Sequence, residues 1–533
     1  MRTRPLRRAA IIGVVAVLGV TASLLLAHHT ERPAPAAETI GGPYAAMLAE
    51  STDLGPARSE RVRVTVALRG DERPGSLIDW AQRTGLTVRW RPGDSWALLE
   101  GRPSDIGAAL AVPVHDYRRP EGEVFYASTR QPAVPQPVVH EVSALGRILS
   151  YTPHRESRPP APLEVPGQGL TPTALVRTYN AAPLRDAGFT GRDVTVVVFA
   201  FDGFDQADLD TFASTFDLPT FTPEVVGGQP PQRRGEATMD LEAVHAVAPD
   251  AKKVLVNARP TVEGDAPYAR IAAMMEDTAT RYPGAVWSFS IGWGCDKLVT
   301  AADLEPVRAA LRAAQRTGTT AFNASGDLAG LECKGGQAWS AAPAADDVGL
   351  DAVASLPEMT SVGGTTLSTD ADGGWLAEQA WFDAPLSQGT AGGVSALFER
   401  PDWQSRVTVE GGAGQRLAPD ISAVADPFTG MKIVFEQQVI VGGGTSLAAP
   451  IWAGFAAVMN QYLTENGGRL LGNINPLLYG VAQGARLPAF RDIVLGGNAV
   501  AIAGPGYDLA TGLGTPNLDN LVRNILVLQK LLP

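Results

Sequence analysis

The chain has 533 residues, 45% of them hydrophobic and 19% charged, which indicates a globular protein with two or three folded parts. Its formal net charge of −12 argues against nucleic acid or an anionic membrane surface as a binding partner. We therefore expect no nucleic-acid partner.

The N-terminus carries four arginines, followed by residues 9–27 without a charge. This pattern is typical of an export signal, and the segment is long enough either to be cleaved as a signal peptide or to remain as a membrane anchor. Arginines on its N-terminal side favour a cytoplasmic location for that end, which places the rest of the chain outside. Residues 1–27 thus predict a secreted protein, or one at the extracellular face that meets the membrane only through this segment.

A Pro- and Gly-rich composition predicts a linker over residues 28–60. After it, "RVRVTVALRG" alternates like a strand, "SLIDWAQRTG" has helical spacing, "LTVRWRPGDSWALLEG" is typical of a hairpin and "PSDIGAAL" of a short helix. The order predicts a small α+β open-faced sandwich over residues 61–142. A second linker, residues 143–169, contains "HRESRPPAPLEVPGQG" and would hold a processing site. A removable propeptide fits this arrangement, although a binding module would give the same pattern.

Residues 170–533 are predicted to form a large domain. Its apolar segments "DVTVVVFAF", "AKKVLVNA", "AVWSFSIGW" and "TTAFNASGD" alternate with segments of helical spacing. This alternation predicts an α/β fold, a doubly wound parallel sheet covered by helices on both faces. Active sites in such sheets lie at the carboxyl ends of the strands.

The stretch "VGGGTSLAAPIWAGF" places Ser446 in a glycine turn at the start of a predicted helix. A serine nucleophile needs a base, usually histidine. Of the six histidines only His245 lies in the large domain; the others are His28, His29, His115, His140 and His154. On the predicted helix "GEATMDLEAVHAVAPDAKK", Glu236 and Asp240 share one face and His245 lies on the opposite one. The two carboxylates are the better base, although such a pair alone is more often part of a solvated first turn.

The motifs "GEATMD", "NASGD" and "GGGTSLAAP", in that order, resemble those of the sedolisin family, the serine-carboxyl peptidases. The segments "VHDYRRPEGEVFYAS", "GGTTLSTDADGGWLAEQAWFD", "GGVSALF", "FRDI" and "AGPGYDLATGLGTP" are similar to further blocks of that family. The resemblance covers the chain after the N-terminal segment. It implies a subtilisin-like catalytic domain preceded by an activation propeptide.

By this resemblance Ser446 is the nucleophile, Glu236 the general base and acid, Asp240 the residue that orients Glu236, and Asp327 a lining residue of the oxyanion hole. Physical chemistry agrees with these roles. A helix N-terminus favours negative charge beside Ser446. Two adjacent carboxyls can share a proton, and Asp327 can donate to an oxyanion only when it is protonated.

The sequence departs from the family pattern at two positions. Where many members have a glutamate and a tryptophan, this chain has Phe199 and Ile291. We therefore expect no secondary network that extends the carboxyl relay. Trp293 could supply a ring but no acid.

The resemblance also implies one Ca²⁺ ion. Asp492 and Asp508 would supply carboxylates, while Ile493, Gly504 and Gly506 would supply backbone carbonyls, which are the oxygen ligands that calcium prefers.

Cys295 and Cys333 are the two cysteines of the chain. In an oxidising compartment we expect one disulfide between them, and two buried thiols are the alternative.

Together these observations predict a monomeric, acid-acting serine-carboxyl peptidase made as a zymogen, an endopeptidase or a tripeptidyl-peptidase. Its partners would be protein or peptide substrates and its own propeptide, acting as an intramolecular inhibitor. Two alternatives stay open: a catalytically silent binding protein on the same fold, and a neutral subtilisin-type protease with a histidine base. Substrate preference does not follow from the sequence, because loops form the pocket walls.

Overall fold

The computed structural model describes residues 37–152, 169–334, 344–384, 387–409, 412 and 414–531. The predicted signal or anchor, residues 1–27, and most of the second predicted linker lie outside these described ranges. Within them, no helix combines the length and the apolar character needed to cross a membrane.

The N-terminal part contains a four-stranded and a three-stranded antiparallel sheet, with strand orders β4-β5-β3-β9 and β2-β6-β7. Helices α2 and α3 contribute Leu77 and Ile106 to one apolar cluster with Val64 of β3. This arrangement agrees with the predicted strand, helix, hairpin and helix. The elements in chain order are β1 (Glu38–Thr39), α1 (Gly42–Glu50), β2 (Thr52–Pro56), β3 (Val62–Leu68), α2 (Gly75–Arg83), β4 (Thr87–Arg89), β5 (Trp96–Gly101), α3 (Pro103–Leu110), β6 (His115–Arg118), β7 (Val124–Ala127), β8 (Arg130–Gln131) and β9 (Val142–Leu145).

Two predicted boundaries of this part differ from the structure. The predicted linker over residues 28–60 contains α1 and β2, and Tyr44 of α1 is buried and donates a hydrogen bond to the Ser128 carbonyl at 2.8 Å. The predicted boundary at residue 142 falls at the start of β9, which pairs with β3 through Val66 and Leu145. The helix α1 and the strands β2 and β9 are short, at nine, five and four residues, so their sequences carry too few periods to indicate an element.

The central sheet of the large domain has the strand order β11-β12-β10-β13-β14-β15-β16, and β21 also pairs with β15. Its pairs are parallel except for β15 with β16, which confirms the predicted α/β sheet. The elements up to the last strand of this sheet are α4 (Pro172–Thr178), α5 (Ala182–Asp186), β10 (Thr195–Ala200), α6 (Gln206–Thr215), β11 (Glu224–Val226), α7 (Glu236–Val247), β12 (Lys252–Asn257), α8 (Pro267–Arg281), β13 (Val286–Phe289), α9 (Glu305–Arg316), β14 (Thr320–Ala324), β15 (Thr360–Thr369), β16 (Trp375–Ala380), β17 (Phe382–Asp383), β18 (Gln388–Gly389), β19 (Gly393–Glu399), β20 (Gln415–Ala418) and β21 (Ile421–Val424).

Two buried helices, α7 and α10, pack against each other beside this sheet. Every residue of α10 from Thr445 to Leu463 is buried, which is why its sequence is apolar on all sides rather than along one stripe. The elements after β21 are β22 (Met431–Phe435), β23 (Gln438–Gly442), α10 (Thr445–Glu465), α11 (Asn475–Gly484), β24 (Phe490–Arg491), β25 (Thr515–Pro516) and α12 (Leu518–Leu531).

The N-terminal part packs directly on the large domain. Arg91 forms an ion pair with Glu276 of α8 at 2.8 Å, and the backbone N–H of Arg147 donates to the buried Asp303 at 3.0 Å. Tyr44 also lies in one apolar cluster with residues of the large domain. These contacts place the N-terminal part against α8 and the loop that precedes α9.

Candidate active site

The carboxyl ends of three neighbouring parallel strands supply the polar groups of the candidate site. Asp202 follows β10, Ser290 follows β13 and Asp327 follows β14, and these strands are adjacent in the sheet. Neighbouring parallel strands end at the same edge, so loops distant in sequence meet there. The start of α10 and the start of α7 reach the same edge through hydrogen bonds to these loops.

Ser446 is the second residue of α10 and its side chain is largely buried, with the residue 7% exposed. The preceding Gly444 has φ +84°, and a Cβ at this position would lie 2.8 Å from Oδ2 of Asp327. Glycine is therefore required here for both its conformation and its lack of a side chain. The turn leaves Ser446 at the helix N-terminus, where the helix dipole favours a developing negative charge.

Asp327 is held against the beginning of α10. Its Oδ1 accepts hydrogen bonds from the backbone N–H of Thr445 at 2.8 Å and from the Thr445 hydroxyl at 2.7 Å. The same hydroxyl accepts from the N–H of Gly326 at 3.2 Å. Asp327 therefore contacts the residue directly before Ser446. Its role at an oxyanion stays a prediction.

Ser290, which the sequence analysis did not single out, lies between Asp240 and Ser446. Its hydroxyl has two acceptors within reach, Oδ1 of Asp240 at 2.9 Å and the backbone carbonyl of Ser446 at 3.0 Å. Because one hydroxyl carries one proton, Ser290 donates to one of them at a time. This contact links the α7 carboxyl to the backbone of the serine.

Asp240 is completely buried on α7, one turn after the half-buried Glu236. Burial raises the pKa of Asp240 well above its usual range, the negative charge of Glu236 raises it further, and the Ser290 hydrogen bond opposes the increase. The charge of Asp202 also raises this pKa. Asp240 therefore keeps its proton at pH values where an exposed aspartate has lost it.

Asp202 is a second residue that the sequence analysis missed. It is 5% exposed, and its two carboxylate oxygens accept the backbone N–H groups of Ala237 and Arg234, each at 3.0 Å. Burial raises the pKa of Asp202, and these N–H donors lower it. A carboxylate directly after a buried strand was the available signal, since that is where such folds place site residues.

Glu332 is a third missed residue, and it supports the Asp327 loop. Its Oε1 accepts the N–H of Leu328 at 2.9 Å, and a Cβ on Gly326 would come within 2.5 Å of the same oxygen.

The neighbouring Cys333 forms the disulfide with Cys295, so the predicted bridge is present. The bridge joins the loop after β13 to the loop after β14.

Apolar side chains occupy the two positions at which many family members carry a glutamate and a tryptophan. Phe199 stacks on Phe289 with ring centroids 4.2 Å apart, and Ile291 is 2% exposed. The Trp293 ring packs edge-on against Phe201 at 5.6 Å.

The histidines of the described ranges have other contacts. His245 donates from Nε2 to the Pro219 carbonyl at 2.7 Å and stacks on Phe221 at 3.9 Å. Burial, followed by the charge of Lys253, lowers the pKa of His245 to about 3. In the N-terminal part, a His115 nitrogen lies 3.0 Å from Asp53, and a His140 nitrogen lies 3.0 Å from Ser76. His28, His29 and His154 lie outside the described residues.

The residues predicted to bind calcium lie on two loops that meet. Oδ2 of Asp492 accepts the N–H of Gly506 at 2.8 Å, and Oδ2 of the buried Asp508 accepts the N–H of Gly504 at 3.2 Å. The Ile493 side chain is buried, at 1% exposed. Burial raises the pKa of Asp508, so a nearby cation would stabilise its charged form. Two carboxylates and a glycine-rich loop are donors of the type that fits this ion.

The chain is similar to known proteins over most of its length. No protein-family model matches the chain. It is 29% identical to kumamolisin from Bacillus sp. (strain MN-32) over 96% of each chain, and 27% identical to sedolisin from Pseudomonas sp. (strain 101) over 79% of this chain and 73% of that protein. The solved structure of Pseudomonas sedolisin, a serine-carboxyl proteinase complexed with two molecules of pseudo-iodotyrostatin, has a TM-score of 0.56 and 26% identity, covering 67% of this chain and 98% of that one.

Proposed function

This chain belongs to the sedolisin family of serine-carboxyl peptidases, and we propose that it is an exported zymogen that cleaves peptide bonds at acidic pH through an acyl-enzyme on Ser446. The observation that carries the proposal is the Ser290 hydroxyl, which lies within hydrogen-bonding distance of both the Asp240 carboxyl and the backbone carbonyl of Ser446. It brings a buried carboxyl and the start of α10 to one edge of the sheet. A histidine base has no comparable support, because the buried His245 is bonded to Pro219 and stacked on Phe221.

In the proposed reaction the Ser446 hydroxyl attacks the peptide carbonyl and Glu236 takes its proton. The proton then passes to the leaving amine, and a water molecule repeats the sequence to release the acyl group. Asp240 retains a proton because of its burial, so the pair can hold one proton while Glu236 is ionised. The pair holds a single proton only between its two pKa values; since carboxyl pKa values normally lie near 4 and burial raises that of Asp240, we place this range at acidic pH.

The oxyanion that forms in this attack needs donors at the start of α10. We assign these to the backbone N–H at Ser446 and to Asp327 in its protonated form. The Thr445 bonds to Oδ1 support this assignment, because they fix the Asp327 carboxyl beside the helix N-terminus. An ionised Asp327 would oppose the negative charge that develops there.

The N-terminal part would serve as the propeptide. Its ion pair from Arg91 to Glu276 and the Arg147 bond to Asp303 fix it on the large domain. We propose that it inhibits the enzyme until the second linker, residues 143–169, is cut. Export is supported by the arginine-flanked apolar segment and by the Cys295–Cys333 disulfide.

Members of this family bind calcium, and we propose that one ion is held by Asp492, Asp508 and the backbone carbonyls of Ile493, Gly504 and Gly506. When bound, the ion would neutralise the two carboxylates and join their loops. The chemical step uses only the residues of the sheet edge.

Self-processing tests the proposed function. The full-length protein, purified at neutral pH and moved to about pH 4, should cut itself within residues 143–169. Ser446→Ala should remain full-length, because it lacks the nucleophile. Ser214→Ala, a matched change at an exposed serine of α6, should process like the parent. Maturation of purified Ser446→Ala at the parental rate would contradict the proposal.

A further inference from the structure

The helix that carries Glu236 and Asp240 has an unusual beginning. Its N-cap residue is Gly235, which has φ +93° and makes no side-chain hydrogen bond to the helix. The first N–H groups of a helix have no partner inside the helix and normally bond to an N-cap side chain. Helix α7 therefore depends on another part of the chain for this function.

Asp202 supplies the missing acceptor from a position 35 residues upstream. One carboxylate oxygen accepts the N–H of Ala237, inside the first turn, and the other accepts the N–H of Arg234, just before it, each at 3.0 Å. The N–H of Glu236 also contributes to this site. A single buried carboxylate thus holds the turn from which the Glu236 side chain extends.

The charge of Asp202 also acts on the Asp240 carboxyl. The groups that act electrostatically on the Asp240 carboxyl are Glu236 on its own helix and Asp202 at the end of β10, while Ser290 bonds to it from the loop after β13. The nearby Arg233 is engaged with Asp205, to which it forms an ion pair at 2.9 Å.

We infer that Asp202 is a positioning residue for the Glu236–Asp240 pair, which fixes the first turn of α7 and adds a third carboxyl to the group that exchanges protons. The inference rests on the proposed function. In this role Asp202 is an acid at the end of β10, whereas Phe199 within that strand is apolar and packs on Phe289. Asp202 does not touch the reacting atoms; it acts through Glu236.

Two single substitutions separate this role from a general structural one. Asp202→Asn removes the charge and keeps one acceptor oxygen for the α7 turn. Asp205→Asn is the matched control, because Asp205 caps helix α6 through the N–H of Ala207 at 3.1 Å, yet its side chain is only half-buried, at 49% exposed. Both proteins should be assayed after processing, with kcat and KM measured on one peptide across the acidic range.

We expect Asp202→Asn to move the acid limb of kcat/KM to lower pH by roughly half a unit to one unit, because a lost neighbouring negative charge makes ionisation of the pair easier. The kcat should fall by roughly tenfold, since the bond to one of the two N–H groups is lost and Glu236 is less well placed. KM should stay within about twofold, because Asp202 does not contact substrate. Asp205→Asn should match the parent in all three quantities.

A folded Asp202→Asn with the parental acid limb and kcat would overturn the inference. If that variant is not recovered folded, the acid limb and kcat of Asp202→Ser are compared with those of the parent instead, because a serine hydroxyl also caps a helix without a charge. The proposed function fails in a different way: the parent itself would lack acid peptidase activity, or Ser446→Ala would retain it.

Discussion

Stability should depend on pH through Asp351, a buried aspartate behind the Asp327 loop. The residue is 3% exposed, and its Oδ1 accepts the N–H groups of Val353 and Ala354 at 3.0 and 2.9 Å. Its Oδ2 accepts the N–H of Trp293. Burial raises the pKa of Asp351 to about 7 in spite of these bonds, and the charge of Glu332 adds to the increase.

The size of the effect follows from the two pKa values of this carboxyl. A pKa raised from 3.8 to about 7 corresponds to about 4 kcal/mol, at 1.36 kcal/mol per unit. Because the folded state binds the proton more tightly, this contribution is fully present below pH 3.8 and is lost as the pH rises to about 7. Raising the pH to neutrality therefore destabilises the folded state through the ionisation of Asp351.

Asp351→Asn tests this reasoning in the full-length Ser446→Ala background, which lacks the proposed nucleophile. The amide cannot ionise, so the melting temperature of Asp351→Asn relative to its parent should rise between about pH 4 and pH 8, by roughly 4 °C for a chain of this length. Differential scanning calorimetry measures this difference. The exposed Asp277 on α8 provides the control, and Asp277→Asn should follow the parent at every pH. A temperature difference between Asp351→Asn and its parent that is constant with pH would refute the argument.

Two further predictions concern the oxyanion donor and the ion. Asp327→Asn should retain activity and shift the alkaline limb of kcat/KM to higher pH, because an amide donates at any pH; an unshifted limb would show that Asp327 is not the titrating group. A calcium chelator should lower the melting temperature of the parent by mass action and leave Asp508→Ala unchanged, whereas an equal response of both proteins would exclude this calcium site.

The strands of the sheet and the turn at Ser446 could be predicted because their signals are local. Each strand is a continuous apolar segment followed by a segment with helical spacing. This alternation indicates a parallel sheet regardless of the sequences of the loops. The glycine run before Ser446 indicates a turn, and Gly444 has a positive φ of +84°, which glycine adopts readily. Such features need no knowledge of distant neighbours.

The contacts that complete the candidate site could not be predicted in this way. Ser290 meets Asp240 across 50 residues and Ser446 across 156, and Asp202 meets Ala237 across 35. A single sequence does not say which of many serines and aspartates at strand ends will face each other. The helix α1 was missed for a related reason, since its burial is created by the domain on which Tyr44 packs.

Buried carboxyls rather than histidine give this fold one pH range for both stability and the proposed chemistry. Burial raises the pKa of Asp240 well above its usual range, that of Asp296 to about 6 and that of Asp351 to about 7. Asp296 accepts the N–H groups of Leu350 and Ala396, so both it and Asp351 hold the loops beside the disulfide. Each of these protons stabilises the folded state at acidic pH and is lost towards neutrality. The proposed base, which would depend on a shared proton, thus lies in a framework that becomes less stable as Asp296 and Asp351 lose their protons. The proposed acidic working range would therefore depend on the buried carboxyls around the site as well as on Glu236.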